Sequence, residues 1–186
     1  MTLLVLVGPA GVGKGSLVSR ILASQPDFRL SVSATTRMPR PGEIDGVHYH
    51  FVTKETFEQM IHDGEFLEFA KVHGNDYYGT PRKELDKAEQ DSKHLVLEID
   101  LQGARQIRGK VDDVLSVFIL PPSIEELERR LRGRGTETES QIQTRLETAK
   151  GELAAASEFD FQIINEDLAT TANEIVDLLR NWKKEN

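Results

Sequence analysis

The sequence predicts an α/β fold: a parallel sheet flanked by helices, with two polar excursions from it. An apolar run, Leu3 to Val7, leads into a glycine-rich stretch and then into helix-spaced Leu17, Val18, Ile21 and Leu22. Farther on, apolar strand-like runs alternate with helix-patterned segments, as parallel strands joined by crossover helices require. Between these parts, residues 33–46 read SATTRMPRPGEIDG, too rich in proline and glycine for a packed helix or central strand.

In chain order, the first helix is expected from about Ser16 to the Ser24-Gln25-Pro26-Asp27 breaker, followed by a short strand from Phe28 to Val32. Short alternating runs at Val47 to Val52, Phe66 to Val72 and Asp76 to Gly79, with a helix from Lys54 to His62, make residues 33–80 a β-rich lobe. The main pattern then resumes. It predicts a helix near Arg82 to Gln90, a strand from Leu95 to Asp100, a helix near Gly103 to Arg108 and a strand from Val114 to Leu120. Pro121-Pro122 stops that strand, and Ser123 with Glu126 reads as a capping box opening a helix to about Arg132. After Arg132-Gly133-Arg134-Gly135, a second box, Thr138 with Gln141, starts a long helix to about Ser157. Phe161 to Ile164 is the last strand and Leu168 to Trp182 the terminal helix.

With 186 residues and 38% hydrophobic content, the chain is expected to build a single domain. A net charge of −8 argues against nucleic acid or an anionic membrane as partner, since both favour a basic face. Cysteine is absent, which excludes disulfides and thiolate metal sites. No signal peptide or long apolar span is evident, so a cytoplasmic location is expected.

The chemistry begins at Gly8-Pro9-Ala10-Gly11-Val12-Gly13-Lys14-Gly15-Ser16. Glycines here let backbone N–H groups converge on phosphate oxygens, the following helix N-terminus adds partial positive charge, and Lys14 supplies a full charge for a nucleotide's outer phosphates. One position departs from the motif: Gly15 stands where a Ser or Thr hydroxyl would ligate Mg²⁺, and the nearest hydroxyl is Ser16. Magnesium is therefore expected through water and the nucleotide's phosphates, with no direct protein ligand.

Glu98 and Asp100, two apart in one predicted strand, should face the same side at its C-terminal end, where ligands of open α/β sheets bind. Arg37 and Arg40 lie in the Pro-Gly excursion; Arg130, Arg132, Arg134 and Arg145 surround the glycine-interrupted turn. Any one of them could be an ordinary solvated charge, but two clusters in an acidic chain with a phosphate loop suit acceptor phosphate and transferring phosphate.

The runs SVSATTRMPRPGEIDGVHYHFV, EFLEFAKVHGNDYYGTP, LEIDLQGA, RLRGRGTETESQIQTRL and IINEDL together resemble the guanylate kinase family over nearly the whole chain. The resemblance implies a nucleoside monophosphate kinase of the P-loop type: ATP and GMP give ADP and GDP with Mg²⁺, in guanine nucleotide metabolism and recycling. It implies a core of about 1–32, 81–122 and 150–186, a GMP-binding lobe of about 33–80 and a short helical lid of about 123–149. Carried over by position, Arg37, Arg40, Tyr49 and Tyr78 would take the GMP phosphate, and Ser33, Glu68, Thr80 and Asp100 the guanine. Gly8 through Ser16 would take the ATP phosphates, with Asn165 near the adenine. Lys14, Arg37, Arg40, Arg134 and Arg145 would be catalytic, the last two as lid cations, with Arg130 on the lid's supporting helix. Glu98, beside Asp100, would help hold the magnesium's water shell.

Guanine offers N1–H and a 2-amino group as donors, so a carboxylate such as Glu68 and a hydroxyl such as Thr80 form a matched reader. Two rivals remain in view: a related kinase for another phosphorylated small molecule, and a non-catalytic phosphopeptide-binding module of the same fold. The guanine-reading residue types weigh against the first, and Lys14 with the lid arginines against the second.

Overall fold

The computed structural model describes residues 1–72, 76–133, 135 and 138–182. Five parallel strands form the main sheet: β1 (Leu3–Val7), β2 (Phe28–Leu30), β7 (His94–Glu98), β8 (Val114–Leu120) and β9 (Phe161–Ile164), in the order β2-β7-β1-β8-β9. β1 is central and wholly buried. Its side chains divide by the period of two: Leu4 and Leu6 join one apolar layer, Leu3, Val5 and Val7 the other. The first layer is closed by α1 (Lys14–Ser24), α5 (Ile124–Gly133), α6 (Glu139–Ala154) and α7 (Leu168–Asn181), the second by α3 (Lys83–Gln90), α4 (Leu101–Ile107) and a 3₁₀ turn (Ala156–Glu158). Truncating any fully buried β1 leucine to alanine would cost about 2–5 kcal/mol, because both faces are covered.

A second sheet stands apart with its own core. It orders β4 (His50–Phe51), β3 (Ala34–Thr35), β6 (Asp76–Pro81) and β5 (Phe66–Val72) as β4-β3-β6-β5. Helix α2 (Lys54–His62), capped by Thr53, lays the buried Phe57 between Phe66 and Tyr77, with ring centroids 4.4 and 5.2 Å away. This sheet meets the main body where the Gln106 side chain of α4 bonds both backbone groups of Phe69 and Lys110 Nζ donates to Leu67 O.

Several expectations need correction. Strand β7 ends at Glu98; Asp100 lies beyond it, because its Oδ1 accepts from Gly103 N at 2.8 Å and caps α4, which starts two residues earlier than the spacing suggested. The two carboxylates therefore do not share a strand face. Of Val47 to Val52, only His50 and Phe51 pair as a strand, since the Ile44 to Tyr49 stretch closes into its own turn through Gly46 N to Tyr49 O and Ile44 N to His48 Nδ1. At Ser123 half the box forms: Ser123 Oγ accepts from Glu126 N, while the Glu126 carboxylate turns to Arg129 and Arg130. The Thr138–Gln141 box is complete.

Candidate active site

The phosphate loop joins the C-terminal end of β1 to α1. Gly8, Gly11 and Gly13 all hold positive φ, and at Gly8 a β-carbon would overlap the carbonyl of Ile119. Gly13 is the N-cap of α1 and brings no side-chain cap, so the first turn presents its N–H groups without an acidic residue to quench them. Lys14 Nζ folds over the loop to Gly8 O at 2.5 Å and Pro9 O at 3.2 Å. Pro9 and Val12 are buried, Ala10 is half-buried, and Gly15 and Ser16 are exposed on the first turn of α1. Beneath the loop, Val12 O accepts from Asn165 Nδ2 at 2.8 Å and from the Arg130 guanidinium at 3.1 Å; Arg130 also bonds Asn165 O. Asn165 is 4% exposed, so its amide acts under the loop as a support.

Glu98 stands exposed at the end of β7, its carboxylate 3.5 Å from where a β-carbon of Gly15 would lie. The missing hydroxyl of Gly15 thus leaves space in front of a carboxylate. On α6, Glu152 is half-buried and its carboxyl is raised, chiefly by burial, with Lys14 drawing it down and Asp100 pushing it up. Sequence reasoning missed Glu152. It lies seven residues after Arg145 on the same helix, two turns along one face, a spacing that could have flagged it. Arg145 is half-buried on α6, and Arg134 lies outside the described residues.

In the lobe, β5 and β6 bring Glu68 opposite Thr80, and the register slips by one residue between Phe66 and Glu68, a bulge of the kind that re-aims a side chain. Thr80 Oγ donates to Glu68 Oε1 at 2.7 Å, with both residues buried. Burial pushes the Glu68 carboxyl up to about 7; Thr80 pulls it down and the neighbouring Asp100 adds to the rise. Its other oxygen lies against Gly103, where a β-carbon would overlap it. Ser33 is half-buried at the start of this sheet.

Arg37 and Arg40 sit on the loop between β3 and β4. Arg37 Nε donates to Tyr78 Oη at 3.1 Å, and its guanidinium lies over the Tyr49 ring, 5.5 Å from the centroid. Glu43 accepts from Arg37 at 2.8 and 3.0 Å and from Arg40 N at 2.6 Å, which holds the Arg37 guanidinium more firmly protonated. Arg40 is exposed beside it. Burial raises the Tyr49 phenol, with Tyr78 adding to the rise and Arg37 drawing it down.

A phosphate loop at the carboxyl edge of a parallel sheet, opposed by a lobe with its own cations and a buried carboxylate, defines a phosphate-loop phosphotransferase with two ligand sites. The guanylate kinase family model matches residues 1–182. A guanylate kinase of Leifsonia xyli subsp. xyli is 53% identical over 95% of this chain and 70% of its own length. One of a Nostoc species is 55% identical over 89% of this chain and 82% of its own. The crystal structure of guanylate kinase from Anaplasma phagocytophilum superposes with a TM-score of 0.77 at 34% identity, covering 100% of this chain and 87% of that one. The chain belongs to the guanylate kinase family. Its activity is the phosphorylation of GMP by ATP. Among the described residues, no helix is long and apolar enough to cross a membrane.

Proposed function

We propose that transfer from ATP to GMP is carried by two half-sites that meet over the ends of β1 and β7. Gly8 through Ser16 cradle the ATP phosphates, with Lys14 leaving the Gly8 and Pro9 carbonyls for phosphate oxygens and Asn165 holding the cradle from below. Arg37, Arg40, Tyr49 and Tyr78 bind the GMP phosphate; Ser33, Glu68, Thr80 and Asp100 read guanine. Arg134 and Arg145 complete the charge around the transferring phosphoryl group from a lid of about 123–149, facing a lobe of about 33–80 across a core of the remaining residues. The protein works in the cytoplasm on these two small molecules.

The donor set suits a hard cation: oxygen ligands only, with Glu98 facing the space that Gly15 leaves. Glu98 and Asp100 would hold Mg²⁺ through its water shell. Bound there, the ion would supply positive charge to offset that on the ATP phosphates. No general base is required, because a monophosphate with a second pKa of about 6 is largely dianionic at neutral pH. Arg37 and Arg40 orient that nucleophile, and Lys14 and Arg145 offset charge at the point of transfer.

The buried Glu68–Thr80 pair carries this reading most directly. An ionised carboxylate held by a hydroxyl accepts from guanine N1–H and the 2-amino group, whereas adenine offers a lone pair at N1 and no 2-amino donor. Sites of this kind can discriminate by roughly 10⁴. Measuring kcat/KM for GMP and AMP in wild type and Glu68→Gln tests it. A large fall for GMP with little change in ATP KM is expected, and an unaltered GMP-to-AMP ratio would move guanine recognition elsewhere.

A further inference from the structure

Glu84 is a fully buried carboxylate that the chemistry above does not use. It sits in the first turn of α3, just past the crossing by which the chain returns from the lobe to the main body. Its Oε1 accepts from Lys87 Nζ at 2.8 Å; its Oε2 accepts from Val32 N at 3.1 Å and lies 3.5 Å from the Arg29 guanidinium. Burial alone would raise such a carboxyl, but the Lys87 bond, the Val32 N–H and the two cations hold it below the ordinary range.

Val32 is the pivot of the outward crossing. Ser31 N still bonds Val96 O in the main sheet, and Ser33 O already accepts from His50 N in the lobe sheet. Val32 N lies between the two ladders, and the carboxylate of Glu84 receives it. On the return crossing, Arg82 N bonds Glu65 O in the lobe, and two residues later Glu84 belongs to a helix whose Ala88 and Leu85 pack in the main body. One side chain, at the start of α3, therefore ties the outgoing crossing to the returning one, at the only places where the described chain passes between the sheets. Buried ion pairs are poor stabilisers compared with apolar residues of the same size, so a role in stability does not by itself explain this one.

We infer that Glu84 is a positioning residue for GMP: by holding Val32 N it sets the crossing that carries Ser33 and, through β3, Arg37. This rests on the assignment of Ser33 and Arg37 to GMP given above. Loss of the bond lets the start of β3 drift relative to the main sheet, which weakens GMP binding while leaving the phosphate loop, on the far side of β7, untouched.

The test compares Glu84→Leu and Glu84→Gln with wild type in the full chain, measuring KM for GMP and ATP, kcat, Tm and amide exchange at Val32 and Ser33. Leucine fills the space without an acceptor; glutamine keeps an acceptor for Val32 N. The expected result for Glu84→Leu is a GMP KM raised roughly three- to tenfold, the effect of one net hydrogen bond, with ATP KM within twofold and faster exchange at Val32. Glu84→Gln should recover most of the GMP affinity. Ile175→Val, in α7 and remote from the crossings, controls for general destabilisation. Unchanged GMP KM in Glu84→Leu, or GMP and ATP KM rising together in proportion to lost Tm, overturns the inference. If Glu68→Gln still raises GMP KM in that case, only the role of Glu84 fails; if neither variant affects GMP, the assignment of the lobe fails with it.

Discussion

Thr80 Oγ donates to Glu68 Oε1 across β6 and β5 at 2.7 Å with both residues buried, and that burial pushes the Glu68 carboxyl up to about 7 against the pull of the hydroxyl. On the proposed reading guanine is bound by the ionised form, so GMP KM should fall as pH rises from 6 to 8. Phosphate ionisation of GMP adds its own slope, which Glu68→Gln retains; the difference between the two profiles isolates Glu68. Equal slopes in both proteins would show that this carboxyl does not govern binding. The same group has a consequence for stability. Its folded-state value of about 7 lies above the ordinary 4.5, so its contribution is complete below about 4.5 and is lost as pH rises through about 7. Denaturant unfolding of the protein without nucleotide should show that decline in wild type and not in Glu68→Gln.

Gly103 lets the Glu68 carboxylate lie against the first turn of α4, where a β-carbon would overlap it. Gly103→Ala must displace Glu68 or the helix. A rise in GMP KM of roughly tenfold or more is expected, since a misplaced reader forfeits hydrogen bonds to the base, while ATP KM stays near wild type. Steady-state kinetics with each nucleotide varied in turn decides it.

Lys14→Ala should leave a folded protein, because Lys14 is half-exposed on the loop, bonds the Gly8 and Pro9 carbonyls and contributes nothing to the apolar layers. Turnover should drop by about 10³-fold or more, the scale of removing one charge stabiliser from phosphoryl transfer. Circular dichroism together with a coupled ADP assay separates the two effects; near-normal turnover would remove the loop from the mechanism.

Arginines on both sides of the site, Arg37 and Arg40 on the lobe and Arg145 on α6, favour closure when two polyanions bind. Hydrogen exchange with a bisubstrate analogue should show protection in 33–49 and around α5 and α6, where Arg37, Arg40 and Arg145 sit. Protection confined to the phosphate loop would indicate a site that works without such movement.

Local patterns by themselves determined the parallel α/β layout, the glycine loop ahead of α1, the strands Phe66–Val72, Val114–Leu120 and Phe161–Ile164, and the helix Lys54–His62, because period and punctuation act over a few residues. The glycines with a lysine and the arginines among prolines stood out from local sequence in the same way, whereas Glu68 and Thr80 were singled out only by resemblance to the family. Tertiary structure alone decided their partners. Asp100 left the strand because its side chain found Gly103 N, Asn165 and Arg130 came together beneath Val12, and Glu84 reached Val32 across 52 residues of chain. Burial and partners decided the rest: desolvation raises the Glu68 carboxyl against the pull of the Thr80 hydroxyl, while a lysine, a backbone N–H and an arginine hold the Glu84 carboxyl below its ordinary value despite its burial.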